Sequence, residues 1–380
     1  MFGMTEQLPH TARRAEVDAK LALVRALLER RGLDAVVLSG PDHVAWATGG
    51  ITSPIERGAP VSPLWLVVRD DSVTAVTTNV EYARVDAESG LRELGIPLVE
   101  VPWHEPGSLG RAAAELADAR TERVGGLGAD VDDDLVELRL ALHPSEQGRL
   151  AALAFDATVS LEHALRAWVP GELDLDVQAR VSERLERAGA FGACLIVGGD
   201  DRVERFRHPL AAGAPVSRLV MAVVVAERGG LHAAVTRFAS AGALTASVRA
   251  AREAALAVEA ATLDACVPGA TYGAVLAALD RGYAEAGHPG AWAEHYQGGP
   301  VGYRQREFEI VPTQTAGRWY SVAVGEGHAV AWNPSVSGGG KAEDTYLVED
   351  DGLRRLTETG SWPLRDGRPA VLDTSTGEAA

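Results

Sequence analysis

Val17, Leu21, Val24 and Leu28 recur at i, i+4, i+7 and i+11, the spacing of one helical face, and Gly32 follows as a natural stop. Beyond it, the short apolar runs DAVVLSG (34–40), LWLVVRDDSVTAVTT (64–78) and LVEVPW (98–103) alternate with helical stretches such as GRAAAELADA (110–119). That alternation predicts an α/β domain. Around Pro144 and Ser145 the texture changes to Ala-, Leu- and Arg-rich segments of helical period, which puts a domain boundary near residue 143.

The second half carries a weak internal repeat. Val169-Pro170-Gly171 is followed by Val177 and Ala188-Gly189, and Val267-Pro268-Gly269 by Val275 and Ala286-Gly287, so that from 169 to 267 the offset is 98 residues. Each copy predicts a helix, a Pro-Gly break and a second helix. The β-rich stretches RLVMAVVVAERGGLHAAVTRFAS and HAVAWNPSVSGGGKAEDTYLVED then follow. Duplicated α+β halves around a shared cleft are the simplest architecture, with chance similarity among Ala-rich helices as the alternative. The Gly-, Asp- and Thr-rich stretch after Trp362 reads as a loosely ordered tail.

A chain of 380 residues, 46% hydrophobic and 23% charged, has the makings of a two-domain globular protein. Its net charge of -17 repels phosphate backbones and anionic membrane surfaces, so neither nucleic acid nor membrane is an expected partner. Cys194 and Cys266 are too few for a disulfide framework or a Cys-based zinc site. The N-terminal stretch lacks the apolar run of a signal peptide, and no window is apolar enough for a membrane span, so a cytoplasmic location is expected.

The two-part layout, SGPDHVAWATGG in the first part and the landmarks of the second together resemble the creatinase/aminopeptidase P/prolidase superfamily over roughly residues 15–358. The resemblance implies an α+β protein: a creatinase-type N-terminal α/β domain (1–143), a pita-bread fold domain with an internal pseudo-twofold repeat (144–358) and the tail (359–380). Peptidases of that superfamily hold two metal ions with two Asp, one His and two Glu. Their second Asp lies just before an element matched here by Val235-Thr236-Arg237, which puts it on Ala234 and the first, eleven residues earlier, on Val223. The His position falls on Gly299 in Gly298-Gly299-Pro300-Val301-Gly302, and the two Glu positions on Asn333 and Glu343. Of the five ligands only Glu343 remains, and the segment 218–240 offers a single acidic residue, Glu227. One carboxylate cannot hold two cations, so no metal and no other cofactor is expected.

Creatinase, a metal-free member, cleaves a C–N bond with a His as proton carrier, and the matching residue is His208 in Arg205-Phe206-Arg207-His208-Pro209. A lone His is ordinarily structural. Neighbouring Arg charges would nevertheless hold this one in its neutral, proton-accepting form. Glu307, just after the glycine-rich loop, and Glu343 are the candidate carboxylates, with a solvated Arg-Glu pair as the plain alternative for Glu307. Arg205, Arg207, Arg237 and Arg306 lie in segments the family folds toward its cleft and could grip a substrate carboxylate, with Arg237 and Arg205 packed against acidic residues such as Asp200, Asp201 or Glu227 as the alternative. Gln297, Tyr303 and Asn333 complete a polar set able to orient a substrate. His295, just before the glycine loop, could touch the cleft, with an exposed His as the plainer reading, and His43 could reach a cleft from a partner subunit, as in family dimers. The run Gly338-Gly339-Gly340-Lys341 lacks the spacing of a phosphate loop, and the Asp-rich run 130–134 reads as a solvated turn.

The resemblance and the lost ligands together imply a metal-independent hydrolase, acting as a homodimer on a C–N bond (amide, amidine or cyclic) of a small, carboxylate-bearing nitrogenous metabolite. A noncatalytic dimeric binding protein on the same scaffold and a metal-free lyase or isomerase are the alternatives, with an Xaa-Pro metallopeptidase behind them.

Overall fold

In a computed structural model that describes residues 10–52 and 55–379, Val17, Leu21, Val24 and Leu28 form the buried face of α1 (His10–Arg31). The helix ends at Gly32, where φ is 62°. There follow β1 (Ala35–Leu38), α2 (Pro41–Ala47), β2 (Leu64–Arg69), β3 (Val73–Thr78), α3 (Tyr82–Glu88), β4 (Leu98–Val101), α4 (Ser108–Ala117), β5 (Val124–Gly125) and α5 (Asp132–Arg139). The strands form one mixed sheet, ordered β4-β3-β2-β1-β5, with β1–β5 and β3–β4 parallel. Ala113 and Ala117 of α4 pack into Val37, Val67 and Val76. This compact unit ends at Glu146.

Two readings of its sequence are corrected. The Asp-rich run opens α5 instead of forming a solvated turn, its acidic residues stacking in the first turn where the helix dipole favours them. His43 is buried within this unit: Nε2 lies 2.9 Å from Asp132 Oδ1, and Nδ1 2.9 Å from Arg139 Nη1. With both ring nitrogens engaged, His43 fastens α2 to α5.

α6 (Pro144–Arg166) leads into the second unit, which begins at Gln147. It comprises β6 (Glu172–Leu173), α7 (Asp174–Arg187), β7 (Phe191–Gly199), α8 (Asp201–Arg205), β8 (Pro215–Val216), β9 (Leu219–Arg228), β10 (Leu231–Ser240), α9 (Ala246–Ala265) and α10 (Tyr272–Glu285). After these come β11 (Gly298–Val301), β12 (Ala329–Trp332), β13 (Ser335–Val336), β14 (Gly340–Lys341), β15 (Tyr346–Glu349) and β16 (Gly352–Arg355). The internal repeat is visible in register: α7 and α10 start and stop at positions offset by the same 98 residues, from 174 to 272 and from 187 to 285. Gly171 and Gly269 hold the break before each helix at φ 94° and 86°. One half supplies the antiparallel strands β10-β9-β7, the other the sheet β11-β12-β15-β16.

The expected loose tail is ordered. Trp362, Val371 and Leu372 are buried, β17 (Leu364–Arg365) pairs with β18 (Arg368–Pro369), and β19 (Leu372–Asp373) lies parallel to β10. Polar composition concealed these few apolar anchors, which complete the edge of a sheet. No helix among the described residues is long and apolar enough to cross a membrane.

Asp174, fully buried at the start of α7, holds the loop that follows α8. Its carboxylate accepts the backbone N–H groups of Ala212 (3.1 Å), Gly213 (2.8 Å) and Ala214 (3.1 Å), and pairs with Arg202 Nη1 at 2.7 Å. Replacement Asp174→Asn is expected to lower the unfolding free energy by about 3 kcal/mol in urea denaturation, since four charge-assisted bonds weaken together. A loss within error would show that other contacts hold the loop.

Candidate active site

In the pairing of β9 with β10, Val223 stands opposite Thr236 and Val225 opposite Ala234, so Val223, Ala234 and Thr236 share one face of the sheet. Over that face lies Glu343, 5% exposed, in the segment joining β14 to β15. Thr236 Oγ1 donates to its Oε2 at 2.7 Å, and Asn333 Nδ2 donates to its Oε1 at 3.1 Å. Lys341, 3% exposed, brings its Nζ to 3.9 Å from Oε2, close enough to feel the charge and too far for a hydrogen bond. Two polar atoms beside this carboxylate therefore have no hydrogen-bond partner among the described residues: Lys341 Nζ, and the buried Asn333 Oδ1.

Burial holds the Lys341 ammonium below its usual range, against the pull of Glu343. His208 is exposed on the loop after α8, and its Nε2 lies 3.1 Å from Nε2 of His295. His295 Nδ1 faces the carbonyl oxygen of Tyr296, so it carries the proton and His295 Nε2 is the acceptor. His208 then donates from Nε2 and keeps its Nδ1 lone pair. Burial, reinforced by Lys341, pushes His295 down to about 2 and His208 below its ordinary value. Both shifts favour the neutral ring. Cys194 borders the group, and burial raises its thiol, aided by Glu343. It is poorly suited to attack as a thiolate.

Beside Lys341, a small, partly open cavity of about 30 Å³ is lined by Arg205, Arg207, Ser335 and the turn Gly338–Gly340. Arg207 donates to Ser335 Oγ at 3.2 Å and pairs with Glu294. Arg205, exposed, lies 5.2 Å from the Phe206 ring centroid.

Other expected residues are occupied elsewhere. Arg237 is buried and points to the opposite face of β10, where it pairs with Asp344 at 2.8 Å and donates to Thr357 O at 2.7 Å. It holds the sheet together instead of holding a ligand, and its acidic partner is none of those anticipated. Glu307 is also buried. Its Oε1 accepts the Tyr303 N–H at 2.6 Å and clamps the loop 302–307. Gln297 accepts from Tyr283 and donates to Trp292 O and His295 O, fixing the segment that carries His295. Tyr303 is buried with that loop. Arg306 stacks on Tyr296 at 4.6 Å and pairs with Glu309 at 3.0 Å, while its charge still reaches Lys341 and His208.

Sequence reasoning gave no site role to Lys341 or Thr236, and ranked His295 as exposed ahead of cleft-facing. A signal for the first was available: of 36 basic side chains only two are lysines, Lys20 and Lys341, and both are buried. Lys20 is saturated, bonded to Glu16 at 2.5 Å, Glu146 at 2.6 Å and Trp46 O at 2.8 Å. Lys341 is not.

Residues 20–167 match the creatinase/prolidase N-terminal domain, and residues 145–350 match metallopeptidase family M24. The chain belongs to the M24 family. That family comprises hydrolases of C–N peptide bonds. Solved structures agree on the fold: dipeptidase PepE from Mycobacterium ulcerans (TM-score 0.73, 20% identity, 91% of this chain and 96% of that one) and prolidase from Pyrococcus horikoshii OT3 (0.70, 18%, 90% and 98%). The N-terminal domain of FACT complex subunit SPT16 from chickpea superposes as widely (0.67, 13%, 97% and 99%). No curated protein matches.

The residues of this M24 chain do not fit the metal pair of a metallopeptidase. Val223 and Ala234 present only methyl groups, Asn333 is a neutral amide, and Gly299 has φ 136°, where a side chain is strained. A lysine ammonium next to the one surviving carboxylate would repel an incoming cation. Among the described residues, no group of three or more His, Cys, Asp or Glu side chains is placed to hold a metal ion.

With lysine labelled at the ε-carbon, two signals are expected, and that of Lys341 should titrate below 10.5, the ordinary lysine value. Because the folded-state value is the lower one, stability rises with pH between that midpoint and the ordinary value. A midpoint at or above 10.5 contradicts the assignment of a buried, unsatisfied ammonium.

Proposed function

We propose that this M24 chain is a metal-independent hydrolase of a C–N bond in a small, carboxylate-bearing nitrogenous compound. The observation that carries the reading is the Lys341–Glu343 pair, set where the family pattern puts its metal ligands: a fixed ammonium supplies the positive charge there. His208 Nδ1 takes a proton from water as the water adds to the carbonyl carbon. It returns the proton to nitrogen as the C–N bond breaks, leaving a carboxylic acid and an amine. Glu343 and Asn333 orient the scissile group, and Arg205 and Arg207, which line the cavity, hold the substrate carboxylate. Arg237 and Glu307 have no part in this scheme, because the fold already uses them. The homodimer expected from the family belongs to the same reading and is checked by light scattering.

A second reading, a noncatalytic binding protein, draws on the SPT16 domain, whose name gives it as part of a complex. Replacement His208→Ala separates the two. A proton carrier loses roughly 10² to 10⁴ in kcat, whereas ligand binding alone survives.

Metal analysis of the purified chain, before and after incubation with Mn²⁺, Zn²⁺ and Co²⁺, is expected to give far less than one ion per subunit, with no Xaa-Pro dipeptide hydrolysis. Stoichiometric metal with dipeptidase activity would overturn the proposal. Activity against amides should be insensitive to chelator. It should fall on acidification through a midpoint below 6.5, because the base works unprotonated and His208 is held below its ordinary value. An activity that rises on acidification would remove His208 from the role of base.

A further inference from the structure

No hydrogen bond among the described residues holds the Lys341 ammonium. Nζ stops 3.9 Å short of Glu343, whose oxygens already accept from Thr236 and Asn333. Giving up a proton therefore breaks no hydrogen bond at Lys341, whereas Lys20 makes three. Burial works against the charged form, Glu343 favours it, and the charges of Arg306 and Arg207 oppose it again. Unlike Asn333 Oδ1, Nζ is unpaired without being sealed from solvent. Ser335 stands opposite Lys341 in the β13–β14 pairing, so the two side chains share one face of that hairpin. Arg207 donates to Ser335 Oγ at 3.2 Å, and all three residues line the cavity. A releasable amine and a fixed guanidinium thus stand one residue apart on the same wall.

A primary amine does one thing that the arginines and histidines around it do not: it condenses with a carbonyl group. We propose that Lys341 is a covalent binding site for a small 2-oxo acid, its Nζ forming an imine with the carbonyl carbon while Arg207 holds the adjoining carboxylate. The nitrogen lone pair adds to the carbon. Of the three ammonium protons, two leave with the carbonyl oxygen as water and one stays on the iminium nitrogen, so charge and oxidation level are unchanged and no co-reactant is needed. The adduct keeps a positive charge facing Glu343, which an acyl or carbamate adduct would not. At about 30 Å³ the cavity has room for about two waters, which restricts the ligand to the smallest acids of this class. Such an adduct fills the cavity assigned above to the substrate carboxylate, so the 2-oxo acid acts there as a reversible inhibitor.

The two lysines of the chain make the test direct. The full chain is incubated with millimolar glyoxylate, the smallest 2-oxo acid, and cyanoborohydride, which reduces the imine and leaves one carboxymethyl group on the nitrogen. Peptide mapping by mass spectrometry then reads the site. Lys341 is expected to carry the group and Lys20 to stay unmodified, while the chain unfolded in urea is labelled at both. Acetaldehyde, a carbonyl without the carboxylate, should need about tenfold more reagent for equal labelling, the worth of one charge-assisted hydrogen bond. Arg207→Gln should erase that preference and leave Lys341 labelled, with thermal melting to report that the variant is folded. An unmodified Lys341, or Lys20 modified as far as Lys341 in the folded chain, overturns the site. Equal labelling by the two aldehydes, or a preference that survives Arg207→Gln, overturns the part given to the carboxylate. Trapping needs no turnover, so a labelled Lys341 in a chain that hydrolyses no amide would remove the hydrolase reading and leave this site standing.

Discussion

A carboxylate buried to 5% exposure must find compensation, and the layout of the second unit follows from how Glu343 finds it. Thr236 reaches it from the sheet and Asn333 from the strand end opposite, both at hydrogen-bond distance, while Lys341 supplies the opposite charge from 3.9 Å. The buried Val223 and Ala234 on the same sheet face leave little water to screen this pair, so the field between ammonium and carboxylate is strong. Such a site is polarised before any ligand arrives, and it needs no ion drawn from solution to be so.

The duplicated architecture explains why these groups meet. The first half contributes the β9–β10 ladder with Thr236, and the second contributes Asn333, Lys341 and Glu343 from the end of β12 and around β14. Neither half holds both sides of the hydrogen-bonded carboxylate. α7 and α10 match end for end in sequence position, as a duplication leaves them. The unmatched parts, α8 with its loop and the turn Gly338–Gly340, are where the cavity opens.

Much of the fold was legible because periodicity reports which face of an element is buried. The stripe Val17 to Leu28 and the repeated Pro-Gly breaks say as much in the sequence as in the structure. The loss of acidic residues between 218 and 240 was legible too, since it asks only what is absent from a segment. Contacts across the fold were not. Arg237 was assigned to the cleft on its segment alone, although the two-residue period of a strand turns it away from the face shared by Ala234 and Thr236. Glu307 looked free because its partner is a backbone N–H, which composition does not display. Lys341 was weighed only against a phosphate-binding loop. Its singularity lies in a comparison over the whole chain, where arginine fills nearly every other basic position and stays charged under all conditions.

The near-absence of lysine reaches beyond the cavity. Lys20 is locked among two carboxylates and a carbonyl, and Lys341 lies inside the cavity wall, so neither offers its amine at the protein's outer surface. Lysyl modification enzymes, amine-directed cross-linkers and lysine-cutting proteases would pass over these two side chains in the folded molecule, while its many exposed arginines stay within reach of reagents that recognise guanidinium.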